Sequence, residues 1–297
     1  MVSVIVCTYN REQYLPNTLE HLKNQSAPSS SYEIVIINNK STDNTDKICQ
    51  DFIQENPDIN ISYHIEQNQG HTYARNRGIK EATGDMLAFI DDDAFVNQDY
   101  TKNIEAFFSK FPDVAAIGGK ITPKYESEEP KWMSKHLLPL VAALDMGNNI
   151  VEFKKRKFPI GANMAYRSTV FEKYGLFDVT LGRRGDGLEG GDEKDLIFRI
   201  KTNEKVYYVP TVSVDHIIPD KRLTMEYIKG MAIGVATSEI KRLKKEGSKG
   251  MIGKLLEEFV KLGGTLILSM KHLLLFDFQK AAMLVKFRYW VFKGYLK

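Results

Sequence analysis

The first third of the chain alternates short apolar runs with amphipathic segments. Ser3 to Cys7 is a continuous and largely β-branched run, which is typical of a strand buried on both faces. Leu15, Leu19 and Leu22 then recur at helical spacing and predict a helix with one apolar stripe. Glu33 to Ile37 predicts a second buried strand by the same pattern.

This alternation continues to about residue 117. Capping side chains at Ser41-Thr42-Asp43 predict a second helix. The later predicted elements are, in order, a weaker strand at Ser62–Ile65, a helix near 71–82, and strands at Met86–Ile90 and Val114–Ile117. Strands separated by helices of this length imply βαβ units, so we expect an α/β fold with a mostly parallel sheet and flanking helices.

In such sheets ligands collect beyond the carboxyl ends of the strands. The segments predicted to lie there are Thr8 to Arg11, Asn38 to Asp43 and Asp91 to Asp93. They are the first places to search for chemistry.

The C-terminal segment, from about Leu223, follows a helical pattern and is rich in cations. A basic run covers 241–245, and the segment from Phe287 to Tyr295 interleaves aromatic with basic side chains. Aromatic rings favour the headgroup level of a membrane and cations attract anionic lipids, so one interpretation is peripheral membrane attachment. The alternative is a helix packed back on the protein with its cations in water.

Composition narrows the function classes. The 297 residues are 43% hydrophobic and 27% charged, which is typical of a globular protein, and we expect no transmembrane helix. The net charge of +3 divides into +9 from Pro219 onward and −6 before it. The basic part lacks zinc-finger, KH or RRM signatures, so we expect no nucleic-acid partner. Cys7 and Cys49 lie in apolar patterns, and no basic leader precedes Val2, so we expect a cytoplasmic protein with reduced thiols.

Three adjacent carboxylates, Asp91-Asp92-Asp93, follow the fourth predicted strand directly. They repel one another unless a cation or hydrogen-bond donors compensate them. Oxygen ligands at a sheet edge suit Mg²⁺ or Mn²⁺, and a solvated acidic turn is the alternative.

A second segment, from Gly70 to Gly78, places a glycine before a helix that carries Arg75 and Arg77. A helix N-terminus with nearby arginines suits a phosphate, although an exposed basic helix face would show the same pattern. The chain has neither a P-loop nor a GxGxxG after the first strand, which disfavours P-loop NTPases and classical dinucleotide dehydrogenases.

In this order the motifs resemble those of family-2 glycosyltransferases with a GT-A fold, over roughly residues 2 to 216. The resembling segments are Val4–Arg11, Glu33–Asp43, the Asn-x-Gly-x-x-x-Ala-Arg-Asn-x-Gly block at 68–78, Asp91-Asp92-Asp93 as the DxD, Gly161–Arg167 and Gly190–Leu196. The resemblance implies a Rossmann-like GT-A catalytic domain at 1–222. Within it, 1–119 would bind the nucleotide-sugar and 120–222 the acceptor, and 223–297 would form a helical extension.

The resemblance also implies a donor site. Its predicted nucleotide-binding residues are Thr8, Tyr9, Arg11, Asn38, Arg75, Asp91 and Asp92. Asn38 stands where the family usually has Asp; an amide can still hydrogen-bond a uracil edge, so a UDP-sugar is the expected donor. For Arg75 a structural salt bridge is the alternative. Asp93 and Asp91 would hold Mn²⁺ or Mg²⁺, with His216 as a candidate third ligand or, alternatively, a satisfied histidine in a strand turn.

The family's Glu-Asp pair appears here as Asp192-Glu193, in reversed order. Inverting transfer needs a base for the acceptor hydroxyl, and Glu193 fills the position that normally holds the catalytic Asp. In the alternative, Asp192 is the base and Glu193 is a first-turn helix carboxylate.

The leading hypothesis is therefore a metal-dependent, inverting hexosyl- or N-acetylhexosaminyltransferase of the polysaccharide-biosynthesis type. Its acceptor would be a saccharide or a lipid-linked saccharide at the inner face of the cytoplasmic membrane. A nucleotidyltransferase and a non-catalytic nucleotide-sugar or glycan-binding module are the alternatives.

Overall fold

The structure is a computed structural model that describes residues 1–154, 157–183, 187–188, 190–246 and 248–295. Two compact units divide the chain. The first contains the described residues of 1–124, 142–185 and 192–217, and the second those of 125–141, 186–191 and 218–297. The predicted boundaries at 119/120 and 222/223 stay predictions.

The first unit begins with four parallel strands in the spatial order β3-β2-β1-β4. The strands are β1 (Val2–Thr8), β2 (Tyr32–Asn38), β3 (Ile61–Ile65) and β4 (Met86–Asp91). The helices between them are α1 (Leu15–Lys23), α2 (Thr45–Glu55) and α3 (His71–Glu81). This half of the sheet confirms the predicted α/β architecture.

Beyond β4 the sheet becomes antiparallel and continues in the order β8-β6-β9-β5. Its strands are β5 (Ala94–Val96), β6 (Val114–Tyr125), β7 (Val151–Glu152), β8 (Asn163–Arg167) and β9 (Lys205–Ile218). The helices of this half are α4 (Tyr100–Lys110), α5 (Thr169–Tyr174) and α6 (Asp192–Ile200). The strand expected at 114–117 is present, but β8 lies between it and β4 and pairs antiparallel with both.

The first strand shows why the sheet is buried on both faces. Val4 and Val6 point into one apolar cluster, whereas Ile5 and Cys7 point into another. This alternation follows from the period of two in a β-strand, and each face is covered by helices. Burial on both sides accounts for the continuous apolar run in the sequence.

The second unit is dominated by three helices, α7 (Met225–Glu246), α8 (Ser248–Leu274) and α9 (Phe278–Tyr295). They confirm the predicted helical extension. Within the unit, α9 packs against α7 and α8, and an apolar cluster joins Ala232 and Ala236 to Val291. Among the helices in the described part of the chain, none combines the length and the apolar character needed to cross a bilayer.

Candidate active site

Three strands of the first unit end at the same edge of the sheet. Thr8 at the end of β1 pairs with Asn38 at the end of β2, and Cys7 pairs with Asp91 at the end of β4. The parallel register therefore places the loops after these strands side by side. This is the edge at which the sequence predicts ligand binding.

Asp91, Asp93 and His216 come together at this edge. Strand β5 begins directly after the aspartates and pairs antiparallel with β9, so that Ala94 lies opposite His216. The Ile217 amide donates a hydrogen bond of 2.9 Å to the Asp93 carbonyl, which joins the end of β9 to the residue before β5. His216 Nε2 lies 3.0 Å from Asp93 Oδ1 and 3.8 Å from Asp91 Oδ2.

This arrangement fits a divalent cation. One ligand atom from each of Asp91, Asp93 and His216 lies within 4.8 Å of the others. Two carboxylate oxygens and an imidazole nitrogen are ligands that Mn²⁺ accepts, and Mg²⁺ also binds through carboxylates. We refer to these three side chains as the metal group. The sequence analysis selected the same three residues as candidate ligands.

The middle carboxylate, Asp92, faces different partners. Arg11 Nε lies 3.3 Å from Asp92 Oδ1, and Arg11 Nη2 lies 3.5 Å from Asp93 Oδ2. Burial raises the pKa of Asp92 to about 7 despite the opposing charge of Arg11, and Asp93 adds to the rise. The Thr18 hydroxyl donates to the Asp92 carbonyl at 2.7 Å, which ties this turn to α1.

The remaining predicted nucleotide residues lie at the ends of β1 and β2 or in the loop after β1. Thr8 is buried at the end of β1, and Tyr9 is exposed. Asn38 is buried; its Nδ2 donates to the Tyr63 hydroxyl at 2.7 Å, and its Oδ1 accepts from the Ser41 amide at 2.8 Å. Both atoms of the amide thus have a partner within the protein, and the base-reading role of Asn38 stays a prediction.

A second carboxylate group forms around Arg75. The Arg75 side chain is 2% exposed, and its Nη1 lies 2.7 Å from Asp192 Oδ2 and 3.0 Å from Glu193 Oε1. The salt bridge that the sequence analysis gave as an alternative to nucleotide contact is therefore present. We refer to Arg75, Asp192 and Glu193 as the base group. Asp192 is the first residue of α6, and its carboxylate binds the guanidinium.

The two carboxyls of the base group are shifted in opposite directions. Burial, followed by the charge of Glu193, raises the pKa of Asp192 to about 7 despite Arg75. Burial also opposes the ionisation of Glu193, but Arg75 and hydrogen bonds from Asp192 and Arg75 outweigh it and lower the pKa of Glu193 to about 2. The side chain of Glu193 is 22% exposed, against 4% for Asp192. Arg75 thus favours the ionised form of Glu193, which is the carboxylate with the more exposed side chain.

Gly161 provides the space that the base group occupies. A Cβ atom built at Gly161 would collide with Arg75 Nη2 and with Glu193 Oε1. The segment 161–167, which resembles the acceptor side of the family, therefore begins against the base group. A side chain at this position would therefore displace the charged ends of Arg75 and Glu193.

His71 is a site residue to which the sequence analysis gave no role. It begins α3 after Gly70, and its amide donates to the Arg183 carbonyl at 3.0 Å. Burial and Arg75 lower the pKa of His71 to about 4, while Asp91 and Glu193 act in the opposite direction. The charges of Asp91 in the metal group and of Glu193 in the base group therefore both act on the His71 imidazole. The sequence feature that could have identified His71 as a site residue is its position directly after Gly70 in the 68–78 motif.

The glycine-rich sequence of Arg183–Gly187 predicts either a mobile lid over the donor or a plain surface loop. Residues 184–186 lie outside the described residues, and the expectation stays a prediction.

The family model described as "Glycosyl transferase family 2" matches residues 3–175 of the chain. Two archaeal relatives extend the similarity. The glucosyl-dolichyl phosphate glucuronosyltransferase of Haloferax volcanii is 28% identical over 231 residues, which cover 76% of this chain and 72% of that protein. The dolichyl N-acetyl-alpha-D-glucosaminyl phosphate 3-beta-D-2,3-diacetamido-2,3-dideoxy-beta-D-glucuronosyltransferase of Methanococcus voltae is 27% identical, over 71% of this chain and 65% of that protein.

Solved structures share the fold. The mannosyltransferase PcManGT of Pyrobaculum calidifontis, in complex with GDP-Man and Mn²⁺, aligns with a TM-score of 0.68 at 17% identity, over 100% of this chain and 86% of that one. S. aureus TarS 1-349 in complex with UDP-GlcNAc aligns with a TM-score of 0.56 at 19% identity, over 78% and 66% of the two chains.

Proposed function

Because this chain belongs to glycosyl transferase family 2 and has the GT-A fold, we propose that it transfers a sugar, with inversion, from a nucleotide-sugar to an acceptor hydroxyl. The single observation that carries this proposal is the presence of two carboxylate groups of different kinds in one unit. The metal group combines two carboxylates with an imidazole, and the base group places two carboxylates on Arg75. Inverting transfer needs both, one for the leaving diphosphate and one for the attacking hydroxyl.

Asp91, Asp93 and His216 would hold the divalent ion, Mn²⁺ or Mg²⁺. When bound, the ion supplies positive charge for the diphosphate that leaves the sugar. The three side chains fix its position at the edge of the sheet, where the loops after β1 and β2 would receive the nucleotide. Arg11 holds the neighbouring Asp92 and supports this turn from the side of the β1 loop.

Glu193 is the proposed base. As the acceptor oxygen forms its bond to the anomeric carbon and the diphosphate oxygen departs, the hydroxyl proton passes to a carboxylate oxygen of Glu193. Arg75 keeps this carboxylate ionised and oriented. Asp192 is a positioning residue, since it is buried and holds the other side of the same guanidinium.

We propose a UDP-sugar as the donor. Asn38 is the last residue of β2. Its side-chain amide oxygen and nitrogen each make one hydrogen bond within the protein and can each make one more, which suits a uracil edge. One structural neighbour was solved with UDP-GlcNAc and another with GDP-Man, so the identity of the base is a point for direct measurement.

A lipid-linked saccharide is the proposed acceptor. By their names, the two archaeal relatives act on dolichyl-phosphate-linked sugars. Such an acceptor would place the enzyme at the inner face of the cytoplasmic membrane, where both the nucleotide-sugar and a lipid-linked glycan can be reached.

The test is titration calorimetry of nucleoside diphosphates in the presence of Mn²⁺. We expect UDP to bind the wild type and to bind Asp93→Asn at least about tenfold more weakly, because one ligand of the metal group loses its charge. Asp85→Asn is the matched control, since Asp85 is exposed just before the amino end of β4. If no nucleoside diphosphate binds with Mn²⁺ present, the donor site is wrongly assigned. Sugar transfer with release of UDP then separates the enzyme from a binding module, and release of pyrophosphate would indicate a nucleotidyltransferase.

A further inference from the structure

Helix α8 buries polar residues on one face and exposes apolar residues on the other. Its polar residues Lys254, Glu258, Thr265 and Ser269 share one face and are buried. The opposite face is apolar and exposed. A helix at the surface of a protein in water normally shows the reverse arrangement.

The buried polar face is held by specific partners within the second unit. Glu258 accepts from Arg288 Nη1 of α9 at 2.8 Å and from Lys261 at 2.8 Å, and Lys254 lies 3.2 Å from it. The Ser269 hydroxyl donates to the Ala281 carbonyl of α9 at 3.3 Å. Rotation of α8 about its axis would bury the apolar face but would break these ion pairs and hydrogen bonds, so the inverted orientation is specified by the sequence.

The outer surface of α8 and of the turn after it is a continuous apolar strip. We call it the α8 apolar face and define it by Phe259, Val260, Ile267, Met270, Leu274 and Phe276. Ile267 is 69% exposed, Leu274 79% and Phe276 80%. No charged residue occurs between Lys261 and Lys271 in the sequence. An exposed apolar strip of this extent marks an interaction site.

The charges around the strip indicate what covers it. Among the described residues from Lys254 to Tyr295, the most exposed charged residues are the cations Lys271, Lys286 and Lys293. Glu257 is half-buried and Glu258 is buried. The side chain of Asp277 is 41% exposed, and its Oδ2 lies 3.3 Å from His272 Nδ1 and 3.8 Å from Lys280 Nζ. Apolar side chains flanked by exposed cations match the interface of an anionic membrane, in which acyl chains lie directly beneath negative headgroups.

We propose that the α8 apolar face docks in the interfacial layer of an anionic lipid bilayer, with Lys271, Lys286 and Lys293 among the headgroups. The helix would lie along the surface, since it does not meet the criteria for a spanning helix. This location differs from the aromatic run at 287–295 that the sequence suggested. Phe287 and Trp290 pack against the cluster of Ala232, Ala236 and Val291 inside the unit.

The inference does not depend on sugar transfer, so its test contains no donor or acceptor. The full chain is mixed with phosphatidylcholine vesicles, with or without phosphatidylglycerol, and floated through a density gradient. Ile267→Glu combined with Leu274→Glu should weaken binding at least about tenfold, because two apolar side chains no longer enter the acyl layer. Val235→Glu is the matched control, since Val235 is an exposed apolar residue of α7 outside the α8 apolar face.

The cations give a second, separable readout. Replacing Lys271 and Lys286 by Gln should lower binding roughly fivefold per residue on vesicles that contain phosphatidylglycerol. High salt should reduce the binding of the wild type in the same way and should leave binding to neutral vesicles unchanged. Lys173→Gln is a control, because Lys173 is an exposed lysine of the first unit.

Insertion can be observed directly with a fluorophore. Cys7 and Cys49 are buried free thiols, and burial raises the pKa of each to about 12, so neither competes for a thiol reagent in the native protein. A polarity-sensitive dye attached after Ile267→Cys should shift to the blue with anionic vesicles. The same dye attached after Val235→Cys should not.

Three results would overturn the proposal. One is a wild type that stays at the bottom of the gradient with every vesicle composition. Another is flotation of the Ile267→Glu, Leu274→Glu variant at the wild-type level while its circular dichroism melt is unchanged. The third is a vesicle-independent dimer in sedimentation velocity that the same variant converts to a monomer, because a second copy of the chain would then cover the face.

Discussion

The metal group and the base group use the same kind of side chain in opposite ways. In the base group, Asp192 and Glu193 share a guanidinium that is itself buried, so their charge is compensated within the fold. In the metal group, Asp91 and Asp93 meet the imidazole of His216, and the nearest guanidinium, that of Arg11, also serves Asp92. The first arrangement contains its own guanidinium, whereas the second combines two carboxylates with an imidazole, which are ligands that a divalent cation accepts.

The chemistry that a cluster of carboxylates can perform depends on the groups that compensate its charge. A carboxylate with a permanent buried partner has a fixed orientation, and a base must lie within hydrogen-bond reach of the proton that it accepts. A carboxylate cluster at a strand end with incomplete compensation suits reversible metal binding. Variants that remove one member of each group should therefore have separable effects.

The largest expected effect is that of Glu193→Gln on the rate of transfer. The amide keeps the size of the side chain but cannot accept the hydroxyl proton, so kcat should fall by about 10²- to 10⁴-fold. Binding of Mn²⁺ and of UDP should remain at the wild-type level, because the metal group is unchanged. Initial rates at saturating donor, together with calorimetry, measure both quantities.

The matched variant is Asp192→Asn, which alters the other carboxyl of the same pair. We expect its loss of kcat to be smaller than that of Glu193→Gln, since Asp192 acts through Arg75. A larger loss in Asp192→Asn, with the fold intact by thermal melting, would assign the base to Asp192.

An intermediate effect is expected for His216→Gln. Removal of the imidazole from the metal group should lower the affinity for Mn²⁺ about 10- to 100-fold, and saturating Mn²⁺ should restore most of kcat. His64→Gln provides a control, because His64 lies on β3 next to Glu81 and does not belong to the metal group. Unchanged Mn²⁺ affinity in His216→Gln would leave His216 as a structural histidine of β9.

The remaining effect concerns stability and not activity, and it is a pH dependence that belongs to the base group. The pKa of Asp192 is raised from its ordinary value of 3.8 to about 7, so between these values the folded state binds more protons than the unfolded state. The stability of the wild type should therefore fall, relative to Asp192→Asn, as pH rises from about 4 to about 7, by at most roughly 1.4 kcal/mol per pH unit. Urea unfolding of both proteins across this range measures the difference, and a constant difference would contradict the raised pKa.

The sequence was sufficient for the parts of the molecule that local pattern determines. The buried runs of β1, β2 and β4 identify a parallel sheet, and the aspartates at the end of β4 follow from the same pattern. His216 could be selected only as a candidate, because its approach depends on the pairing of β5 with β9 across more than a hundred residues.

Other features could not be predicted, because long-range contacts determine them. The position of β8 between β4 and β6 makes half the sheet antiparallel, and no local pattern of residues encodes that order. Arg75 looked suited to a phosphate, yet residues 117 and 118 positions later in the chain bind it. From the sequence alone, the polar residues of α8 are compatible with an exposed face. Their burial could not be predicted, because it depends on contacts with Arg288 and Ala281 of α9.

Gly161 limits how this protein can be redesigned. A methyl group at this position would displace the ends of Arg75 and Glu193. In a library randomised over the 161–167 segment, a screen for soluble protein would accept alanine or serine at 161, whereas a screen for turnover would return glycine. Engineering of this segment therefore has to proceed with 161 held constant as other codons vary.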